Sequence, residues 1–372
     1  MRAFIPPPLN PMPDLQFSGR AQSRLDATLL ALGRLDGAVA AMPDINLLTY
    51  TFVRKEAVLS SQIEGTQSTL DDLLRHEVEG ASIPNEDVRE VSRYVDAMDH
   101  GLKRMADGFP LSNRLLTEMH AHLLTDGRGA QKQPGEFRRS QNWIGGTRPG
   151  NASFVPPPPH VLNDCLGDLE RFLDESINPV IKTALAHLQF ETIHPFLDGN
   201  GRIGRLLITL VLCNDRVIRR PLLYPSLYFK QHREDYYNEL NAVRASGDYE
   251  GWIDFFSEGL RHSADVAIET GRRVTEVFRE DRQALGGQGR LAPTLLAVQE
   301  ALQAKPIATI AALTQSTNLA IPTVTTALRE LMARDIVKET TGKSRGRVFA
   351  YKRYLDALAA DEDRPPASES LA

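Results

Sequence analysis

The sequence predicts a mainly α-helical protein with a small β-hairpin near its middle and a winged helix–turn–helix towards its C-terminal side. Three observations point there. Residues 20–108 keep a helical apolar periodicity with few breakers. Residues 194–205, His-Pro-Phe-Leu-Asp-Gly-Asn-Gly-Arg-Ile-Gly-Arg, join two apolar helical stretches through a glycine-rich turn. Residues 291–355 change character, with two short helices, a Ser-Thr-Asn turn and two β-prone strips around Gly342 and Gly346.

In chain order, a proline-rich leader precedes helices that Pro43, Gly65, Gly80 and Pro84 punctuate. Ser68-x-x-Asp71 resembles a capping box and restarts a helix just after Gly65. A helix over 111–126 runs into a loop marked by Gly127, Gly129, Pro134 and Gly135. Residues 142–146 and 152–155 read as the arms of a hairpin, and Pro156 to Pro159 as a stiff connector into a helix near 161–175. A helix over 179–193 ends on the motif, because Pro195 excludes His194 from the α region. The run Leu206, Leu207, Ile208, Leu210, Val211 and Leu212 marks a buried helix beginning near Arg202, and helical patterns continue to about 280. Gly286-Gly287-Gln288-Gly289 is a linker. Beyond it, Ile307–Thr314 and Pro322–Ala333 read as the helix–turn–helix, with Val337–Thr341 and Arg347–Tyr351 as the wing. The expected division is 1–108, 109–280, 291–355 and an acidic, disordered tail over 356–372.

Bulk properties narrow the function. The 372 residues have room for about two or three domains, and the 42% hydrophobic and 24% charged content is ordinary for a globular protein. A net charge of −5 gives the whole molecule no polyanion-binding field. Residues 291–355 differ, with nine Lys and Arg against four acids. The two cysteines, Cys165 and Cys213, fall in apolar helical patterns, which suits reduced thiols. Prolines replace any apolar core in the leader, and the longest apolar stretch, Leu206 to Cys213, is far too short to span a bilayer. The expectation is a cytoplasmic protein without a membrane partner.

Residues 194–205 carry the chemistry. Gly199-Asn200-Gly201 can adopt positive φ and turn successive N–H groups towards one point at a helix N-terminus, a natural anion site. Arg202 and Arg205 leave the first turn on nearly one face, with forks suited to phosphate oxygens. Asp198 would repel a bare phosphate, so its presence suggests a bridging Mg²⁺. His194 is placed to take a proton from a hydroxyl. Together they imply nucleotidyl or phosphoryl transfer to a hydroxyl.

This stretch is similar to the signature of the Fic family of protein adenylyltransferases, HPFx(D/E)GNGRxxR, at every defined position. The resemblance implies a Fic helical core in which His194 deprotonates a protein hydroxyl that attacks the α-phosphorus of ATP and expels pyrophosphate. It implies that Asp198 holds Mg²⁺, and that Gly199, Asn200, Gly201, Arg202, Ile203, Gly204 and Arg205 receive the nucleotide. It makes the 142–155 hairpin a flap on which a protein substrate docks by strand addition. Tyr236 and Tyr237 fall where the family shapes its adenine pocket; each suits a core position equally, and Tyr237 is the one carried to the nucleotide site. Self-modification and a homodimer are compatible with this reading.

Ser60-Ser61-Gln62-Ile63-Glu64-Gly65 resembles the family's inhibitory motif, (S/T)xxxE(G/N). Ser60 and Glu64 stand one turn apart on one face, and Gly65 ends the helix so that Glu64 projects from its tip. The resemblance implies that Glu64 pairs with Arg205 and excludes the γ-phosphate. His187 and Glu191 lack metal-site spacing and read as structural, and Thr341-Gly342-Lys343-Ser344 lacks the first glycine of a phosphate loop and reads as wing. The expected activity is therefore autoinhibited AMP transfer to Tyr, Thr or Ser. Two other readings stay open: a hydrolase that removes AMP with Glu64, and a winged-helix DNA-binding regulator with a Fic core as sensor.

Overall fold

The computed structural model describes residues 3–40, 45–80, 85–127 and 129–361. The chain forms two compact units, one of Met1–Gly37, Phe52–Ser68 and Asn85–Asp265, the other of Ala38–Thr51, Thr69–Pro84 and Val266–Ala372. Its helices are α1 (Gly19–Ala40), α2 (Ile45–Ile63), α3 (Leu70–Glu79), α4 (Glu86–Ala106), α5 (Asn113–Leu123), α6 (Leu162–Leu173), α7 (Pro179–Ile193), α8 (Asn200–Asn214), α9 (Ser226–Gln231), α10 (Arg233–Ser246), α11 (Tyr249–Gly286), α12 (Ala292–Ala304), α13 (Ile310–Thr317), α14 (Ile321–Ala333) and α15 (Lys352–Ala359). Three strands, β1 (Ile307–Thr309), β2 (Val337–Glu339) and β3 (Val348–Tyr351), pair antiparallel in the order β1-β3-β2. Among the described residues no helix is long and apolar enough to cross a membrane.

The first unit is built around α7 and α8. Asn178 caps α7 by accepting from the Val180 and Ile181 N–H groups, and Pro179 occupies the first turn, where a missing N–H costs nothing. Val180 to Ile193 are buried on every side, the pattern of a helix at the centre of a core. Its one lysine, Lys182, is paired with Asp215 at 3.0 Å. Trp252 of α11 donates its indole N–H to the Ala184 carbonyl and closes another side. Cys165 and Cys213 are free thiols.

The flap region is less regular than a hairpin. A single antiparallel bridge joins Ile144 and Phe154. Gly145 and Gly146 take positive φ, and a Cβ on Gly146 would lie 2.3 Å from the Asn151 carbonyl oxygen. A 3-10 turn at Pro149–Asn151 and Pro156 just beyond Val155 leave no room for a longer ladder.

The second unit contains the C-terminal elements and α3. Leu74, Ile307, Val348 and Ala350 form a buried cluster, with Tyr50, Leu70, Val78 and Leu355 packed against it. Full burial of Leu74 contributes about 1.5–3 kcal/mol. The helix restart differs by one residue from the expectation: Thr69 is the cap, accepting from the Asp72 N–H while the Asp72 carboxylate accepts from the Thr69 N–H. Ser68 is buried and cannot serve. Residues 307–309, expected as helix, extend along β3, and α13 begins after them with Thr309 as its cap. Thr341 to Arg347 form the tip between β2 and β3, so the phosphate-loop mimic is a strand connection. Within 286–289, Gly286 ends α11, and Gly287 and Gln288 turn the chain into a 3-10 turn at Gly289–Leu291. The expected tail is ordered over its first part. Residues 356–359 close α15, and buried Asp361 accepts from Arg273 and Thr270. Residues 362–372 lie outside the described residues.

Candidate active site

The loop between α7 and α8 reverses the chain in six residues. His194 ends α7 in the left-handed region, φ 48 and ψ 60, where a non-glycine residue costs about 1–3 kcal/mol. A buried arginine that the sequence did not reveal holds it there. Arg138 donates from Nε to the His194 carbonyl at 2.9 Å and from Nη2 to the Pro157 and Ile193 carbonyls, while its own N–H reaches the Pro195 carbonyl. Asn142, at the base of the flap, donates to the Phe196 carbonyl at 2.9 Å. His120 stacks on Phe196 with ring centroids 3.7 Å apart, and its Nε2 lies 3.0 Å from the Asp198 carbonyl.

Only Gly199 of the Gly-Asn-Gly triplet takes positive φ, at 77°. Asn200 and Gly201 already belong to α8, which starts two residues before Arg202. The Asn200 side chain accepts from the Phe196 N–H at 2.8 Å and donates to the Phe196 carbonyl at 2.9 Å. It staples the loop, so its contribution to an anion cradle is its main-chain N–H. The cradle is then the first turn of α8, where N–H groups lack helical partners.

Both arginines are buried and carboxylate-paired: Arg205 with Glu64 as the sequence led one to expect, Arg202 with a carboxylate that the sequence did not reveal. Arg202 Nη1 lies 2.8 Å from Glu90 of α4, whose side chain is 6% exposed. Arg205 donates from Nε to Ser60 Oγ at 2.7 Å, and from Nη2 to the Ser60 carbonyl at 3.0 Å and Glu64 Oε1 at 2.6 Å. Burial alone would raise the Glu64 pKa, but the Arg205 guanidinium overrides it and holds the carboxyl below its usual range. A Cβ on Gly201 would stand 2.3 Å from Glu64 Oε1, so this carboxylate rests directly against the start of α8. An anion bound at that helix end would meet it.

The helix that precedes Glu64 is fastened further back as well. Glu56, two turns before Glu64, is buried; its carboxylate accepts from Ser226 Oγ at 2.6 Å, the Ser226 N–H at 3.2 Å and Tyr94 at 3.3 Å. Burial pushes its pKa up to about 7, against those hydrogen bonds. Glu56 and Ser60 of α2, with Glu64 just beyond its end, thus lie along one stripe.

His194 holds a neutral ring. Burial lowers its pKa to about 3, with Arg244 and Arg138 adding to the shift, so the ring is neutral at pH 7. Its Nδ1 has no hydrogen-bond partner of normal geometry among the described residues. Asp198 Oδ1 accepts the Gly199 N–H at 2.6 Å, and its side chain is 33% exposed. Among the described residues no three His, Cys, Asp or Glu side chains gather as a metal site. One exposed carboxylate still fits Mg²⁺, which commonly takes one or two carboxylates with phosphate oxygens and water.

Two family models match the residues that build this arrangement. The Fic/DOC family N-terminal model covers residues 23–103, and the Fic/DOC family model covers 110–212. The chain belongs to the Fic/DOC family. The protein adenylyltransferase Fic of Drosophila ananassae is 31% identical over 215 residues, 55% of this chain and 40% of that protein. That of Aedes aegypti is 34% identical over 157 residues, 41% of this chain and 28% of that protein. This Fic chain therefore spans under half the length of the curated relatives it matches. Among solved structures, a Fic family protein from Desulfovibrio desulfuricans shares the fold over 91% of this chain and 98% of its own, with TM-score 0.58 and 21% identity. Fic-1 of C. elegans shares it over 68% of this chain and 74% of its own, with TM-score 0.53 and 19% identity.

The remaining sequence candidates fall around this Fic core in distinct ways. Tyr236 is buried and donates or accepts at His187 Nε2, 2.9 Å away, while His187 Nδ1 faces the Gly204 carbonyl at 2.8 Å. Burial lowers the His187 pKa to about 3 and raises that of Glu191 to about 7. Tyr237 is 37% exposed and lies within electrostatic reach of Glu64 and Arg205. Ile203 and Gly204 are buried in α8. A Cβ on Gly204 would come within 2.2 Å of Glu191 Oε1, so that glycine serves helix packing. Arg138, Glu90, Asn142 and Glu56 escaped the sequence reading because a buried polar residue with main-chain or distant partners leaves no periodic signal.

Proposed function

We propose that this chain is an autoinhibited protein adenylyltransferase that moves AMP from ATP to a Tyr, Thr or Ser hydroxyl. The observation that carries the reading is the 2.6 Å pair between Glu64 and Arg205 at the start of α8. A carboxylate parked on a helix N-terminus and a buried arginine occupies a place suited to phosphate.

In the transfer, the hydroxyl oxygen of the target attacks the α-phosphorus, the bond to the bridging oxygen breaks and pyrophosphate leaves. Neutral His194 accepts the hydroxyl proton as the new P–O bond forms. The N–H groups at the start of α8 and the Arg205 guanidinium, once Glu64 withdraws, bind the phosphate oxygens. Asp198 would hold Mg²⁺, which supplies charge neutralisation between the phosphates. Tyr237 lines the nucleotide side, and the Ile144–Phe154 flap offers main-chain groups to the target segment. Arg202, tied to Glu90, serves chiefly to hold α8 against α4.

Transfer of label from α-labelled ATP to protein, compared between the native chain and Glu64→Gly, tests this. The expected result is a gain of about tenfold or more, since Arg205 then gains a phosphate through charge-assisted hydrogen bonds. Unchanged or lower transfer would overturn autoinhibition. Loss of AMP removal in the same variant would move Glu64 to the hydrolytic reading.

A further inference from the structure

The segment that bears Glu64 is bounded on both sides by pieces of the other unit. Phe52–Ser68 belongs to the first unit, whereas Ala38–Thr51 and Thr69–Pro84 belong to the second. On the far side of Glu64, α3 is built into the core of the second unit through Leu74. It also touches the wing. Arg75 donates to the Thr340 carbonyl at 2.7 Å, and Glu79 Oε1 lies 3.5 Å from Lys343 Nζ at the wing tip. Asp71 lies within electrostatic reach of Lys338. Only Gly65–Ser68 separates α3 and its cap from Glu64. Those four residues are folded back on the end of α2: the Gly65 N–H reaches Gln62, the Thr66 N–H reaches Ser61, and Gln62 Nε2 donates to the Ser68 carbonyl. The Gln67 N–H in turn reaches the Asp87 carboxylate of α4 at 2.9 Å, so the connector between Glu64 and Thr69 is short and hydrogen-bonded.

Within the same unit, two stretches carry exposed polar and basic side chains. In α14, Val324, Ala327, Leu328 and Leu331 face inwards, leaving Pro322, Thr326 and Arg329 exposed on the outer face. At the wing, Lys343, Ser344 and Arg345 are exposed. Arg329 and Arg345 have no ion pair among the described residues. A helix of these dimensions fits a major groove, where arginine reads guanine and threonine methyls meet thymine, while basic wing residues take phosphates. The α3 acids Asp71, Asp72, Glu77 and Glu79 stand on the opposite account, and Glu79 already holds Lys343.

We propose that the outer face of α14 and the wing bind double-stranded DNA, and that this binding loosens Glu64 from Arg205 through α3. Phosphate at Lys343 competes with Glu79 and repels the acidic helix, and the connector carries the displacement to the end of α2. The regulatory half rests on the autoinhibited adenylyltransferase reading; the binding half does not.

The test measures two signals on the full chain with a mixed-sequence duplex of about 30 base pairs at about 50 mM salt. Fluorescence anisotropy of the duplex reads binding, and label from α-labelled ATP reads transfer. The native chain is expected to bind with a steep salt dependence and to gain about fivefold or more in transfer. Arg329→Ala with Arg345→Ala should lose binding and stimulation while keeping the basal rate. Glu64→Gly should bind the duplex at least as tightly as the native chain, by up to about fivefold more since the coupling is reciprocal, start at the high rate and gain nothing. Absence of salt-sensitive binding, binding without stimulation, or equal stimulation by heparin would each overturn the proposal. A Glu64→Gly form that stays at the native basal rate would instead strike the autoinhibition reading, leaving the anisotropy result to stand or fall alone.

Discussion

The two ends of the stretch from His194 to Arg205 are in opposite states. At the His194 end the ring is neutral, Nδ1 lacks a partner of normal geometry among the described residues, and the backbone is locked by Arg138. At the Arg205 end three hydrogen bonds from one guanidinium are taken by Ser60 and Glu64. On the proposed reading one end is prepared for proton transfer, while the other is filled by the protein's own carboxylate. On that reading the chain keeps its base while its phosphate site is closed, and a base has nothing to do until phosphate is held in line.

The largest effect is expected at the prepared end. His194→Ala should lower AMP transfer by about 10²-fold or more in a Glu64→Gly background, the loss usual for a positioned base. ATP affinity, followed by calorimetry, should barely move. Native transfer in that variant would place the base elsewhere and dissolve the contrast.

The filled end should give the next effect. Adding Arg205→Ala to Glu64→Gly should cancel the gain of about tenfold, because the released arginine is its cause. If the double variant keeps the gain, Glu64 acts on something other than Arg205. Asp198→Ala in the same background should both lower transfer and flatten its response to Mg²⁺ titration; a full Mg²⁺ response would remove Asp198 from that role.

The smallest effect concerns acidity. His194 is depressed to about 3 by burial and nearby arginines, so it remains unprotonated well below the ordinary histidine range. Between pH 7 and pH 5 its protonation should cost kcat/KM less than about twofold, whereas an imidazole at the usual 6.5 would lose more than about tenfold. An acid limb centred near 6.5 would show that the ring is solvated in the working state.

Much of this was legible in the residues. The motif at 194–205, the helix ending before Pro195 and the Ser60–Glu64 spacing follow from local rules of chain geometry, and the structure brings these pieces to one place. Boundaries shifted by a residue or two where burial chose between neighbours, as at Ser68 and Thr69. Residues 307–309 look helical in isolation and become strand because β3 offers them a ladder. The flap shortened to one bridge for the opposite reason, since glycine and proline withhold partners there.

By itself the sequence determined which residues can do chemistry, since a histidine, an aspartate and a glycine turn before a helix keep those capacities in any context. It also set the phase of α2, which puts Glu56, Ser60 and Glu64 on one stripe. Only the tertiary structure decided what each group faces. It gave Arg202 to Glu90, Arg205 to Ser60 and Glu64, and the His194 carbonyl to Arg138. It also packed Leu74 of α3 against β1 and β3, more than 200 residues away in the chain. The physical reason is that capping, turns and helix phase act over a few residues. Pairing of buried charges and burial of an apolar face depend instead on which distant segment removes them from water.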